Sequence, residues 1–390
     1  MTPQVVVVGG GPAGSLTALL LARAGVRVRL VDRDAFPRNK LCGDTLNPGA
    51  LALLRAQGVA TGIEAVALPV HGMVVTGPGG ARVAGQYGKG VHGVALSRRV
   101  LDALLLEEAA RAGVDVETGV RVTGPVWSGD RVSGVRVAGA RGAGAHGNAT
   151  LEGDLVVAAD GRHSHLAFGL GLSTFATRPQ RWAYGALYTG VTGLASVGEM
   201  HIRTNGYVGV APLPDGTANV CAVREWKRGM TPLGGDVLGR AIDSDPLLAG
   251  RFAGAERVSP VAILGPLAVE SRAAGVPGLL LAGDAAGFVD PITGDGMRFA
   301  IRGAELAAEA ALRELATGQP AWRWLTAERQ REFGGKWRVN RALRRLVASP
   351  AGVRAAAAIA SVWSAPLAPL IAVAGDVAVA RRIERAGART

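Results

Sequence analysis

Two glycine-rich segments, far apart in the chain, constrain most strongly what this sequence can fold into. The first follows an apolar run at residues 5–8, and Gly9, Gly11 and Gly14 have the G-x-G-x-x-G spacing. Such a loop lets the backbone turn from a buried strand into a helix and approach a pyrophosphate, whose charge the helix N-terminus stabilises. Asp32 ends the next apolar strand, from which a carboxylate can reach a ribose hydroxyl. The segment predicts a dinucleotide-binding fold.

The second segment, residues 283–297, has the same form. It follows the short apolar run 278–282 and precedes a predicted helix over 297–312 whose alanines share one face. Asp284 is placed to accept a hydrogen bond from a sugar hydroxyl. The intervening loop contains Pro291, Gly294 and Gly296, and its backbone N–H groups can point at a ligand.

Two further motifs lie between these segments. A buried strand within residues 152–159 ends in Asp160-Gly161, and Arg98 precedes Asp102 by four residues in a predicted helix over 98–112. The four motifs span residues 5–312 and together resemble, in content and in order along the chain, the FAD-binding motifs of p-hydroxybenzoate hydroxylase-type flavoproteins. The chain departs from that pattern at Leu166, where many members have arginine.

The resemblance implies an FAD cofactor and an α/β fold. The FAD-binding domain would be Rossmann-like, of the glutathione reductase/p-hydroxybenzoate hydroxylase type, interrupted by an antiparallel-sheet substrate domain and followed by a helical C-terminal tail. The expected boundaries are 1–67, 93–168 and 265–320 for the FAD-binding domain, 68–92 and 169–264 for the sheet domain, and 321–390 for the tail. The residues expected to bind FAD are Gly9, Gly11, Pro12, Ala13, Gly14, Asp32, Arg33, Arg98, Asp160, Gly161, Gly283, Asp284, Pro291, Gly294, Asp295, Gly296 and Met297.

The loop after the ribose-binding strand indicates which family of these flavoproteins the chain resembles. Its Cys42-Gly43-Asp44 sequence resembles the Cys-Gly-Asp/Glu segment of the geranylgeranyl reductase family, in which the cysteine faces the substrate side of the flavin. The resemblance makes Cys42 a candidate catalytic residue that positions or protonates substrate. The alternative is that Cys42 is a small buried apolar side chain. Cys221, in a predicted sheet strand, is expected to be replaceable with little kinetic effect.

Two other segments resemble parts of the same family. The loop 288–296 matches the reductases' Thr-Gly-Glu-Gly pattern with Asp295 in place of glutamate. Residues 205–220 align with the reductases' Gly-Tyr-x-Trp-x-Phe-Pro segment, which makes Tyr207 and Pro212 candidate substrate-binding residues. The Trp-x-Trp-x-Ile-Pro signature of flavin-dependent halogenases lacks both of its tryptophans here, which disfavours a halogenase. Because the reductase match is also incomplete, the substrate pocket is expected to differ in shape.

The resemblance implies an oxidoreductase that reduces carbon–carbon double bonds of an apolar, isoprenoid-type substrate by hydride transfer from reduced FAD. An external donor, NAD(P)H or a ferredoxin-type protein, would supply the electrons. The chain has no second G-x-G-x-x-G motif that would identify that donor. Two alternatives stay open: an FAD-dependent monooxygenase acting on an apolar or aromatic substrate, and a non-catalytic flavin electron carrier. Diphosphates, quinones, glycerolipids and tetrapyrrole esters all stay open as substrates.

Composition excludes several other classes. The net charge of +12 is spread along the chain, and no basic block alternates with aromatic residues, so nucleic-acid binding is not expected. The 2 cysteines exclude a disulfide framework, and the 6 histidines have no metal-ligand spacing, so no metal is expected. No charged region with an apolar segment and cleavage site precedes the first strand, which predicts a cytoplasmic protein.

Residues 355–375 carry no charge and are long enough to span a bilayer by length alone. Pro366 and Pro369 interrupt this segment, and alanine dominates it, which favours two short helices over a membrane span. Arginines flank it at positions 344, 345, 354, 381 and 382. The segment is therefore a candidate for peripheral contact with a membrane surface. The sequence says nothing about the oligomeric state.

Overall fold

The computed structural model of the protein describes residues 4–139, 148–204, 206–226, 235–362 and 369–387. Part of the uncharged tail segment, residues 363–368 with Pro366, lies outside the described residues. The strands are β1 Gln4–Val8, β2 Arg27–Asp32, β3 Thr45–Leu46, β4 Leu68–Val70, β5 Gly72–Thr76, β6 Arg82–Gln86, β7 Gly93–Ala95, β8 Asp115–Thr118, β9 Arg121–Ser128, β10 Arg131–Ala138, β11 Asn148–Glu152, β12 Leu155–Ala158, β13 Ser173–Phe175, β14 Arg181–Thr189, β15 Gly198–Arg203, β16 Gly206–Pro212, β17 Ala218–Glu225, β18 Glu256–Arg257, β19 Ala262–Leu264, β20 Val269–Ser271, β21 Gly275–Val276 and β22 Leu279–Leu281.

The helices are α1 Pro12–Arg23, α2 Pro48–Ala56, α3 Ala60–Glu64, α4 Arg98–Arg111, α5 His165–Gly169, α6 Val237–Asp243, α7 Pro246–Phe252, α8 Gly296–Thr317, α9 Trp322–Ala348, α10 Pro350–Val362, α11 Pro369–Ala374 and α12 Val377–Gly387. Short 3₁₀ turns occur at Pro78–Gly80, Gly283–Ala286 and Pro291–Thr293. Helix α8 runs beyond its predicted end at Leu312 because Leu315 still packs against the core, and Gly318, in the left-handed conformation, ends the helix.

The central sheet has the strand order β21-β22-β12-β1-β2-β8, and all its pairs are parallel except β21 with β22. Residues 5–8 are four valines and are almost completely buried, as expected for a strand covered on both faces. Helices α1, α4 and α8 pack on one face. The three-stranded sheet β9-β10-β11 covers the other face. This arrangement confirms the predicted Rossmann-like FAD-binding fold.

A second large sheet of 8 strands follows the order β18-β14-β17-β16-β15-β5-β6, with β19 also paired to β14. Its pairs are antiparallel apart from β15 with β5, which confirms the predicted antiparallel sheet. Helices α6 and α7 pack on one face. The opposite face turns toward the nucleotide motifs. Within residues 68–92, β5 and β6 join this sheet, whereas β4 pairs with β7 in a small separate sheet. The domain boundaries stay a prediction.

The turn between β1 and α1 leaves no room for side chains. Gly9 has a φ of +102°, and a Cβ on Gly14 would lie 1.8 Å from the Gly9 carbonyl oxygen. A Cβ on Gly283, in the second glycine-rich segment, would lie 2.8 Å from the Cβ of Ala13. The two segments therefore pack directly against each other, and they begin at the carboxyl ends of β1 and β22, two buried strands that both pair with β12.

The C-terminal helices pack around this framework. Helix α9 packs on α8, α12 packs on α2, and α10 and α11 both pack against β6. A buried ion cluster joins the tail to the start of α8, because Lys336 Nζ lies 2.6 Å from Asp295 Oδ1 and 2.8 Å from Asp376 Oδ2. Arg298 Nε lies 3.0 Å from the same oxygen of Asp376. Throughout the described ranges, every helix is too short or too polar to cross a bilayer.

Candidate functional site

A cleft lies between the central sheet and the large antiparallel sheet. It encloses about 1830 Å³, including its opening to solvent, at the carboxyl ends of β1, β2 and β12. Ligands of open parallel sheets bind at this edge. Most of the residues expected from the sequence line this one cleft, namely Gly9, Gly11, Pro12, Ala13, Asp32, Arg33, Cys42, Arg98, Asp160, Gly161, Gly283, Asp284, Pro291, Gly294, Gly296 and Met297.

Four of the expected residues do not line the cleft. Gly14 packs beneath Gly9, where its role is to let α1 approach β1. Asp295 lies at the N-terminus of α8 but faces Lys336. Tyr207 and Pro212 are buried in β16 and do not line the cleft, and their role in substrate binding stays a prediction.

Asp32 is fixed at the end of β2, where a ribose would bind. Its carboxylate accepts hydrogen bonds from the backbone N–H groups of Gly10, at 2.6 Å, and Asp34, at 2.8 Å. Gly11 faces the cleft, and the atoms nearest to the place of a Cβ there are guanidinium nitrogens of Arg38 and Arg98, at 3.7 and 3.8 Å. A side chain at Gly11 would therefore occupy ligand space. These features fit the adenosine and pyrophosphate groups of a dinucleotide.

Arg98 is held in place by the fully buried Asp102. Its Nε and Nη2 donate to the two carboxylate oxygens at 2.6 and 2.8 Å, and Arg38 Nη1 lies 3.0 Å from the same carboxylate. Burial acts to lower the pKa of Arg98, but the Asp102 carboxylate outweighs it and raises the pKa, so Arg98 is always charged. Arg99 instead donates to the Pro37 carbonyl at the surface. Arg98, and not Arg99, therefore faces the cleft.

Cys42 lies beside this pair, on the side of the cleft that faces the large sheet. Burial raises the pKa of its thiol, while the charge and hydrogen bond of Arg98 oppose that shift. Asn219 donates to the Cys42 carbonyl oxygen at 3.1 Å and to the Asp44 carboxylate. Asp44 itself has a φ of +51° and accepts from the Arg98 backbone N–H at 3.1 Å. Burial raises the pKa of Asp44 to about 6.

An apolar wall completes this end of the cleft. It is formed by Leu41, Ala183, Cys221, Leu264, Leu267 and Phe288. Cys221 lies on this wall with Cys42, and the expectation that it is replaceable with little kinetic effect stays a prediction. Burial raises the pKa of Cys221 to about 12. The alternation in β17 could have shown this, since Asn219 and Cys221 share a face, whereas Val220 and Ala222 enter the opposite core.

Sequence reasoning missed the buried network that holds the loop 288–294. The Tyr207 hydroxyl donates to Asp290 Oδ1 at 2.6 Å, and Arg181 Nη1 donates to Oδ2 at 3.1 Å. Asn340 of α9 donates to the Asp290 carbonyl oxygen at 2.8 Å. Tyr207 therefore ties the large sheet to the second glycine-rich segment. Asp290 is an ordinary turn residue in the sequence, and only the fold shows its partners.

Comparisons with known proteins agree with this geometry. Residues 2–228 match the family model described as an FAD binding domain. The digeranylgeranylglycerophospholipid reductase 2 of Methanothermobacter thermautotrophicus is 31% identical over 84% of this chain and 82% of its own length. The menaquinone reductase of Mycolicibacterium smegmatis is 29% identical over 78% of this chain and 75% of its own. The solved myxobacterial chondrochloren halogenase superimposes with a TM-score of 0.80, at 25% identity, over 87% of this chain and 81% of that one.

The fold and the matching family model define a flavoprotein that binds FAD. The chain belongs to the geranylgeranyl reductase family of FAD-dependent oxidoreductases. The likeness to the halogenase is a likeness of fold, and both tryptophans of the halogenase signature are missing, with Val208, Gly209, Val210 and Ala211 preceding Pro212. Membership in the family confirms the interpretation of the four motifs.

The raised pKa of Asp44 makes the stability of the protein depend on pH. Because the pKa rises from 3.8 to about 6, the folded state holds this proton more tightly than the unfolded chain does. Stability is therefore lost as the pH rises from about 4 to 6, by at most about 3 kcal/mol, and is constant above that range. Asp44→Asn keeps a residue that tolerates a positive φ and removes the titration. The wild-type minus variant difference in unfolding free energy, measured by urea titration at fixed excess FAD, should fall across this window. Parallel pH profiles would show that Asp44 is not the group responsible.

Proposed function

We propose that the protein reduces carbon–carbon double bonds of a polyprenyl substrate, with FAD as the resident redox cofactor. The observation that carries the proposal is the position of the Cys42-Gly43-Asp44 loop. It lies between the glycine-rich turns that fit FAD and the apolar wall of the large sheet. Support also comes from two relatives whose names describe reductases of prenylated molecules, a digeranylgeranyl phospholipid and menaquinone.

The apolar wall suits a hydrocarbon chain. Leu41, Leu264, Leu267 and Phe288 present carbon atoms to the cleft, so a polyprenyl segment that enters would displace water and bury apolar area. A dry, oriented alkene next to the cofactor is the main contribution that such a protein makes to the reaction. The small residues Ala183 and Gly185 of β14 leave room along this wall, which Leu41 partly fills.

FAD, when bound and reduced, supplies the hydride that one alkene carbon takes up. Cys42 is the residue placed to hold the proton that the other carbon needs, because its raised pKa keeps a proton on Sγ at neutral pH. The guanidinium of Arg98 would stabilise the thiolate left after that proton is transferred, and Asp102 keeps the guanidinium in place. Asn219 fixes the loop from the large sheet through the Cys42 carbonyl oxygen.

The N-terminus of α8 contributes electrostatics at the same end of the cleft. Gly296 and Met297 line the cleft, and a helix N-terminus of this length favours negative charge nearby. Asp295 would oppose that effect, but Lys336 pairs with its carboxylate at 2.6 Å. The electron donor under this proposal is NAD(P)H or a ferredoxin-type protein, which would reduce the cofactor from outside the cleft.

Turnover without oxygen is the main test of the proposed function. Under strict anaerobiosis, the FAD-loaded protein should saturate a polyprenyl substrate when supplied with dithionite, and mass spectrometry should show two added mass units per bond. NADH, NADPH and a reduced ferredoxin, tested separately in place of dithionite, identify the donor. A monooxygenase would do nothing without oxygen and would add sixteen mass units in air. Strict oxygen dependence of product formation would replace the proposal with the monooxygenase alternative.

Cys42 should contribute to turnover beyond its contribution to packing. Cys42→Ala removes the proton at Sγ and should lower the rate per bound FAD on the order of 100-fold or more, since positioned proton donors contribute effects of this size. Cys42→Ser keeps a proton and should retain more activity than the alanine variant. FAD content and folded fraction are measured on the same samples, so that the rate is normalised to loaded protein.

Cys221→Ala is the matched control for this comparison. It removes a thiol from the same apolar wall and leaves a similar cavity, but the hydrogen bond of Arg98 goes to the Cys42 thiol. Its rate per bound FAD should change little. Near-full activity of Cys42→Ala, or an equal loss in both variants, would reduce Cys42 to a packing residue.

We also propose that the protein, as a cytoplasmic enzyme, contacts the membrane surface through α10 and α11. Ile359 and Val362 of α10 and Leu370 and Val373 of α11 have between 58% and 76% of their surface exposed. Both helices pack against the same strand, β6. Arginines at 345, 354, 381 and 382 flank this region, which would favour an anionic bilayer. An apolar substrate would be collected from such a surface.

Vesicle sedimentation tests this contact. The protein should bind phosphatidylglycerol vesicles more strongly than phosphatidylcholine vesicles, and salt should weaken the difference. The double variant Ile359→Ser/Val362→Ser should lose roughly tenfold in binding because two apolar side chains no longer enter the interface. Val258→Ser, an equally simple change at an exposed valine of another region, is the control. Equal binding by the double variant and the control would exclude this surface.

A further inference from the structure

Arg162 is a buried cation with no use in the mechanism described above. It directly follows the Asp160-Gly161 motif and lines the cleft, with only 6% of its surface exposed. Its Nε and Nη2 atoms are buried and have no hydrogen-bond partner. A guanidinium that is removed from water without a partner is costly, so this arrangement is stable only if something else supplies acceptor oxygens.

The protein itself does not supply enough negative charge at this place. Asp284 is the carboxylate that acts on Arg162, but Lys40, Arg98 and Arg329 act on the same carboxylate. Arg98 is already paired with Asp102, so Arg162, Lys40 and Arg329 are left to share the Asp284 carboxylate. Burial lowers the pKa of Arg162 to about 10, so burial outweighs the attraction of Asp284. Arg162 is still charged at neutral pH, and the local excess of positive charge calls for an anion.

Lys40 reaches the same place from the opposite loop. Its Nζ lies 3.8 Å from the position that a Cβ on Gly161 would take. Partial burial and the nearby charges of Arg98 and Arg38 lower the pKa of Lys40, which is another sign of crowded cations. Gly161, with a φ of +80°, contributes no side chain between the two cations. An oxyanion in the cleft can contact both.

We propose that Arg162 and Lys40 form a phosphate-binding clamp across the cleft. Arg162 offers two free donor nitrogens, which suits the bidentate recognition of phosphoryl oxygens, and Lys40 adds a point charge. Two sources have this chemistry: the pyrophosphate of FAD, and a phosphate or diphosphate head group on the substrate. The first source rests on the FAD-binding fold alone, and the second rests on the proposed function.

Two variants test the clamp through binding, without turnover. Arg162→Gln removes the charge and should weaken binding of the clamped phosphate by roughly 10- to 100-fold, the effect of losing hydrogen bonds to a charged group. Arg162→Lys should give an intermediate loss. Arg111→Gln, which removes an exposed arginine of α4, is the charge-matched control and should change nothing.

The two sources are separated by two titrations. Equilibrium dialysis of the holoprotein against decreasing FAD gives the dissociation constant of the cofactor. Fluorescence titration of FAD-saturated protein with geranylgeranyl diphosphate, and with uncharged geranylgeraniol, gives the contribution of the substrate phosphates. A loss of affinity confined to FAD assigns the clamp to the cofactor. A loss confined to the diphosphate assigns it to the substrate, and unchanged constants in both titrations overturn the proposal.

Unfolding of the FAD-free protein distinguishes a clamp from a structural role. Because Arg162 is buried and unpaired without a ligand, Arg162→Gln should leave the unfolding free energy of the FAD-free protein unchanged or raise it. A large loss of stability in this state would mean that Arg162 supports the fold, which contradicts the clamp. Since no measurement here depends on catalysis, failure of the clamp and failure of the reductase proposal give different results.

Discussion

The direct packing of two glycine-rich turns is the constraint on which the rest of this structure depends. Ala13, at the start of α1, touches the place where a Cβ on Gly283 would stand, and Gly14 has no room for a side chain above Gly9. This contact brings the carboxyl ends of β1 and β22 to one edge of the sheet, although they are separated by most of the chain. The cleft, its carboxylates and its helix N-termini all take their positions from it.

A second constraint is the buried carboxylate of Asp290. Partners from three regions meet at this residue: Arg181 of β14 and Tyr207 of β16 donate to its carboxylate, and Asn340 of α9 donates to its backbone carbonyl oxygen. A buried charged group that loses its hydrogen-bond partners is costly in free energy. The loop 290–294 therefore has one stable position relative to the large sheet. The nucleotide fold and the substrate wall are therefore fixed relative to each other by polar contacts, where apolar packing alone would allow sliding.

The sequence predicted the local parts of the site well because each depends on a few consecutive residues. A glycine spacing, an Asp at the end of a strand and an Arg–Asp pair one helical turn apart all describe short-range geometry, and Arg98 with Asp102 shows this directly. The cleft wall could not be predicted in the same way. Cys221 and Leu264 reach the wall only through strand pairing. Tyr207 stands at a motif position in the sequence, but its hydroxyl donates to Asp290.

The residues that no motif covers share one physical property: their partners are distant in sequence. Asp290 and Arg181 are ordinary residues in the sequence, and their burial becomes visible only when the sheets are in contact. Pairing over more than a hundred residues leaves no local signature. The missing tryptophans at 208–211 were informative in a different way, because small residues at these positions of β16 disfavour a halogenase without identifying the substrate pocket.

The ion cluster at the start of α8 links the far end of the chain to the cleft. Lys336 lies between Asp295 and Asp376, and Asp376 follows α11, one of the two helices with exposed apolar side chains. A shortened chain that ended after α9 would lack Asp376, the acidic partner that Lys336 and Arg298 share. Both cations lie next to the loop that precedes α8 and faces the cleft. The tail therefore contributes charge to the flavin site. A displacement of α11 by contact with a surface would move Asp376 and change the electrostatic environment of the α8 N-terminus, which faces the cleft.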